Sequence, residues 1–208
     1  MAESLEEKIA RVTAEGVAIV DYNAAYPAMF QQLKKEILAL LPADFFLRFE
    51  HFGSTAVLRL AAKPVLDVAA EVRSLAEARR ILPSIFEPRG DDYFWRPSGP
   101  GTKGPWYCWL IIRQPNHSRR AHIHILEPGS SWMQERLAFR DYLRQQPEIA
   151  AEYARLKRQL AEQFPDDRVA YTEAKGNFIR RISALAQQAP SSEGLLEVKT
   201  TGDIPEAF

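Results

Sequence analysis

The chain has 208 residues with one cysteine, 27 Lys plus Arg and 27 Asp plus Glu, so its formal net charge at pH 7 is zero. That balance argues against the broad basic footprint of a nucleic-acid binder, and one cysteine excludes both an internal disulfide and a cysteine-rich zinc site. Apolar residues at 46% and charged residues at 26% describe a globular chain long enough to bury its own core. No run approaches the roughly 20 consecutive apolar residues of a membrane span. The charged opening MAESLEEKIAR carries no secretory pattern, and the cytoplasm is the expected location.

In chain order, residues 4–13 read as a short helix with Ser4 as N-cap, broken by Gly16. Residues 17–21 (VAIVD) read as a strand by their β-branched content. Pro27 opens a helix that runs to about Leu41, with Phe30, Leu33, Ile37, Leu40 and Leu41 on one face. Residues 45–52 (FFLRFEHF) alternate as a strand, which puts Phe46, Arg48, Glu50 and Phe52 on one side and Phe45, Leu47, Phe49 and His51 on the other. After the turn Gly53-Ser54-Thr55, residues 64–72 form a nearly apolar, buried strand broken only by Asp67 and Glu71. Residues 75–82 read as a helix, and residues 93–96, 106–113 and 121–126 as three further strands, the last two joined by a hairpin-length loop. Three helices are then expected over residues 131–145, 147–164 and 167–186, with Pro147 and Pro165 at helix starts. The expected organisation is an N-terminal helix (1–16), a main domain (17–188) whose helical region begins near 129, and a tail (189–208). Mixed strands and helices followed by helices alone predict an α/β (α+β) fold with a C-terminal helical region.

The chemistry concentrates near residues 51–67. A strand ends at His51-Phe52, the Gly53-Ser54-Thr55 turn offers backbone N–H groups to phosphate oxygens, and Asp67 stands on the next strand as a ligand for a divalent cation. The bland alternative is an ordinary turn beside a satisfied carboxylate. His122 and His124 alternate onto one strand face and could share a cation with Asp67, with His51 as a fourth ligand or a supporting group. Hydrogen-bonded sheet histidines are the alternative. Lys63, Arg140, Tyr171 and Lys175 form a candidate anion clamp, Tyr171 and Lys175 sharing a face at i, i+4. The alternative is a solvated, salt-bridged helix surface, and most charges of residues 148–163 are assigned to such a surface. Cys108 sits in an apolar strand without an activating neighbour, which reads as inert core, and the four tryptophans read chiefly as packing.

The string HFGSTAVLRLAAKPVLDV, with HIHILEPGSSW, FRDYLRQQPEIAAEYARLKRQLA and YTEAKGNFI after it, resembles the GrpB-like family over roughly residues 17–186. That resemblance implies a nucleotidyltransferase-type mixed sheet, and members occur alone or attached to dephospho-CoA kinases. The implied function is binding of a nucleotide or other phosphate-bearing small molecule. Gly53, Ser54 and Thr55 would hold phosphate, Lys63 would neutralise charge, Asp67 would hold Mg²⁺ or Zn²⁺, and Asp67 and Lys63 would be the catalytic pair if the protein is an enzyme. Two departures stand out. The family reads Val-Pro-Gly-Leu where this chain has Val57-Leu58-Arg59-Leu60, and the second carboxylate of active transferases is replaced by Ala69. Glu71 shares the face of Asp67 but lies about 13 Å along the strand, too far for one Mg²⁺. Efficient two-metal transfer is therefore not expected. A non-catalytic ligand-sensing or protein-interaction module, and a His/Asp metal-dependent hydrolase, remain open alternatives. No membrane partner is expected.

Overall fold

A computed structural model describes residues 4–14, 16–96 and 107–188. The loop expected at 97–105, Trp106 and the expected tail at 189–208 lie outside the described residues. The elements are α1 (Leu5–Thr13), α2 (Tyr26–Ala39), β1 (Phe46–Phe52), β2 (Leu66–Val72), α3 (Leu75–Phe86), β3 (Asp92–Arg96), β4 (Tyr107–Arg113), β5 (Arg119–Leu126), α4 (Ser131–Gln145), α5 (Pro147–Gln163), α6 (Arg168–Ala174) and α7 (Gly176–Gln188). No helix among the described residues is long and apolar enough to cross a membrane.

The five strands form one mixed sheet in the order β1-β2-β5-β4-β3, in which only the central β2–β5 pair is parallel. Strand periodicity gives the sheet two different faces. Leu66, Val68, Ala70 and Val72 of β2, with Ala121, Ile123 and Ile125 of β5, pack against α2 and α3 in the main core. The intervening residues Asp67, Ala69, His122 and His124 look the other way, toward the C-terminal helices. The α/β class and the helical C-terminal region agree with the sequence reading.

Local sequence explains most boundaries. Ser4 and Glu7 form a reciprocal capping box at α1. Ser74 caps α3, where it accepts from the Glu77 amide at 3.3 Å. The helix expected over residues 75–82 runs on through Pro83 to Phe86. Burial of Leu82 and Phe86 against the sheet offsets the hydrogen bond that proline removes.

Three expectations need correction, and one departure from the family pattern is explained. Residues 17–21 form only one bridge, Val20 with Ala62, because Val17 instead packs with Leu160 and Tyr171 of the helical region. A register shift between Phe46 and Arg48 breaks the simple alternation of β1, so Phe46 joins Phe49 on the core side and Leu47 is exposed. The single helix expected over 167–186 is two, divided at Lys175 and Gly176. The Val57-Leu58-Arg59-Leu60 loop turns without glycine because Arg59 itself adopts a left-handed conformation, φ 62°.

That conformation costs a non-glycine residue about 1–2 kcal/mol, partly offset by the greater freedom glycine has in the unfolded chain. Arg59→Gly is therefore expected to stabilise the protein by about 0.5–1 kcal/mol. Urea denaturation measures this, and a destabilised variant would contradict the account of the turn.

Candidate functional site

A cavity opens between the polar face of the sheet and the C-terminal helices. Its walls include Gly53, Ser54, Lys63 and Asp67 from the sheet side and Lys157 and Lys175 from the helices. Parallel pairing places Asp67 directly beside His122, and Ala69 beside His124. The ligating atoms of Asp67, His122 and His124 all lie within 4.8 Å of one another. The convergence expected from strand alternation is present.

The hydrogen bonds define what this cluster can do. Arg119 Nη1 lies 3.1 Å from His122 Nε2, and a guanidinium only donates, so Nε2 is the acceptor. His122 Nδ1 must then carry the ring proton, which it donates to Asp67 Oδ1 at 3.0 Å. His124 Nε2 stands 4.0 Å from the same oxygen, and its Nδ1 pairs with the Tyr107 hydroxyl. The His122 contacts hold Asp67 down to about 2 despite its desolvation, so the carboxylate is ionised across the neutral range. Burial lowers His124 to about 3, so that ring is neutral.

A tetrahedral Zn²⁺ site is chemically conceivable for one Asp and two His. As the side chains stand, however, His122 offers no lone pair on the Asp67 side. Binding through Nδ1 would move its proton to Nε2, against the Arg119 guanidinium. Mg²⁺ fares worse, because Asp67 is the one oxygen ligand in the group and Lys63 lies nearby. The donor set does not fit a divalent cation without rearrangement.

His51 does not join this cluster. It pairs with Val68, not Asp67, across β1–β2 and so points to the opposite face. There it stacks on Phe30 with centroids 4.8 Å apart, and its Nε2 bonds to the Thr55 hydroxyl at 2.9 Å. The expectation that it supports the metal ligands is corrected by strand parity. Thr55 lines the cavity but its hydroxyl is engaged by His51. Arg140 also lines it, with its guanidinium committed to Asp141, Glu50 and the His51 carbonyl.

Lysines dominate the rest of the cavity. Lys63 and Lys175 stand over the ring of the fully buried Tyr171, 5.4 Å and 4.2 Å from its centroid. Tyr171 therefore holds the two cations from beneath and also lines the cavity, its buried hydroxyl without a hydrogen-bond partner among the described residues. Lys157, assigned from sequence to a solvated helix surface, is buried at 3% exposure. Its ammonium donates to Ser54 Oγ at 2.8 Å and to the Ala61 carbonyl, and rests over Tyr153. The missed signal was its spacing, since Ala150, Tyr153, Ala154, Lys157 and Leu160 form the buried stripe of α5. Burial, together with neighbouring positive charge, lowers Lys63 to about 7, Lys157 to about 7 and Lys175 to about 8.

Gly53 joins the Ser54-Thr55 turn to Asp67. Its φ of 71° and ψ of −169° lie in a region essentially restricted to glycine. A Cβ there would stand 2.6 Å from Asp67 Oδ2. Gly53→Ala is expected to destabilise the protein by about 1–3 kcal/mol, measured by chemical denaturation, and an effect below 0.5 kcal/mol, roughly a surface substitution, would contradict this geometry.

His51 sets an acid limit. Burial holds it at about 4 in the folded protein against 6.5 for the free ring, so the folded state binds fewer protons in that interval. Its contribution is complete above about pH 6.5 and is lost as pH falls toward and through 4. His51→Gln should flatten the slope of unfolding free energy over that interval, and an unchanged slope would contradict the assignment.

Residues 16–184 match the family model described as GrpB protein. The UPF0157 protein YqkA of Bacillus subtilis (strain 168) is 35% identical over 176 residues, 83% of this chain and 48% of that protein, so the chain spans about half its length. The dephospho-CoA kinase of Mycolicibacterium paratuberculosis is 26% identical over 182 residues, 79% of this chain and 44% of the kinase. Among solved structures, conserved protein GrpB from Enterococcus faecalis aligns with a TM-score of 0.70 at 30% identity, over 82% of this chain and 98% of that one.

Proposed function

The chain belongs to the GrpB family, and from that premise and the make-up of its cavity we propose that it binds a phosphate-bearing small molecule between the sheet and the C-terminal helices. One observation carries the reading. Lys63 and Lys175 share the face of Tyr171 at a common cavity, yet neither has a hydrogen-bond acceptor among the described residues. Both lysines are only half-buried at the cavity wall, and the oxygens of a phosphate would supply the charge-assisted hydrogen bonds that the described residues do not. Lys157 is satisfied internally and serves to fix Ser54 at the cavity wall.

The same reading sets transferase chemistry aside. Ala69 occupies the position of a second carboxylate, and His122 and His124 occupy the facing strand. Glu50 lies on this face opposite Ala69, but Arg140 and Arg48 engage it. A two-metal clamp needs carboxylates free to bridge the ions. His122 here donates to Asp67 and fixes that carboxylate as an acceptor at the cavity wall.

Titration calorimetry with glycerol 1-phosphate at physiological ionic strength tests the proposal. Lys63→Ala and Lys175→Ala should each weaken binding at least about tenfold, or ~1.4 kcal/mol. Because a phosphate monoester is already a dianion above pH about 6, affinity should fall from pH 6.5 to 8.5 as the lysines near 7 and 8 lose protons. Binding that is indifferent to both lysines would contradict the proposal.

A further inference from the structure

We propose that the ligand carries, a short distance from its phosphate, a hydroxyl group that donates to Asp67, so that the site selects phosphorylated polyols or sugars over simple alkyl phosphates. This inference rests on the phosphate-binding reading and extends it to the far wall of the same cavity.

Asp67 lines that cavity with 33% of its side chain exposed. Its two oxygens differ. Oδ1 accepts from His122 Nδ1. Oδ2 packs toward Gly53 and has no hydrogen-bond donor among the described residues. A carboxylate in a cavity built for an anion repels any acidic group placed beside it, so a ligand must meet it with a donor. A second cation is the less suitable donor, because Lys63 and Lys175 already stand in the cavity and Arg119 lies behind His122. A neutral hydroxyl satisfies the carboxylate without adding charge. The lysines then fix the phosphate while Asp67 reads the neighbouring carbon skeleton, and a ligand without the hydroxyl leaves the acceptor desolvated and unpaired.

Asp67 orients this hydroxyl and does not deprotonate it. Held near 2, it is a weak base. His122 cannot relay a proton either, since Arg119 fills its second nitrogen.

The test compares glycerol 1-phosphate with n-propyl phosphate by calorimetry in excess EDTA, using the wild type, Asp67→Ala and Asp67→Asn. The wild type should prefer the hydroxylated compound at least tenfold. Asp67→Ala should reduce the preference below threefold, with propyl phosphate bound as well as or better than by the wild type. Asp67→Asn preserves side-chain shape and should bind propyl phosphate at least as tightly as the wild type, whose negative charge it lacks. Equal wild-type affinity for the two compounds, a preference that appears only when Mg²⁺ replaces EDTA, or an equal loss of both ligands in folded variants would overturn the inference while leaving phosphate binding intact. Failure of the wild type to bind either compound would overturn the phosphate reading and this inference with it.

Discussion

Two ammonium groups held against one aromatic ring, with no acceptor among the described residues, set the terms for the rest of this site. Water satisfies an amine readily, and the half-burial of Lys63 and Lys175 restricts that option. The ring of Tyr171 returns part of the lost interaction through its π face, and Tyr153 does the same for Lys157. Lys157 completes its shell with Ser54 and Ala61, whereas Lys63 and Lys175 lack such partners among the described residues. The surrounding fold maintains this arrangement. Lys175 itself is the break between α6 and α7, and the buried stripe of α5 brings Lys157 to the Gly53-Ser54 turn.

The parallel β2–β5 pair is the second constraint. It sets Asp67 against His122 in register, while the antiparallel pairing of β1 sends His51 to the other face. The resulting acidic group is single and already engaged through one oxygen by an imidazole whose tautomer Arg119 dictates. A sheet of this topology supports several chemistries, and the site, not the fold, decides among them. Here three lysines line the same cavity as Asp67 and His122.

Much of the scaffold was legible in the sequence. The apolar run of β2, the alternation in HIHIL and the Pro147 boundary of α5 each specify a local structure that tertiary contacts reinforce. The Asp67–His122–His124 convergence followed from period-two alternation and required only that the two strands be neighbours. Other features were not legible for physical reasons. The register shift after Phe46 is a pairing event with β2, invisible within the β1 segment. His51 was assigned by proximity in sequence to the turn, whereas adjacent strand positions face opposite ways. Arg140 was placed in the anion clamp because two of its partners, Glu50 and the His51 carbonyl, are about 90 residues distant in the chain. Lys157 was overlooked although the spacing of Ala150, Tyr153 and Ala154 places it on the buried stripe; a cation there is the strongest sequence signal of the cavity.

Anomalous diffraction from crystals grown with tungstate tests the central claim most directly, because that dianion mimics phosphate in charge and oxygen geometry and reports its own position. The account predicts a tungsten peak within hydrogen-bond reach of the Lys63 and Lys175 ammonium groups. Tungstate found only at the outer surface, with the ammonium groups of Lys63 and Lys175 turned out into solvent, would contradict it.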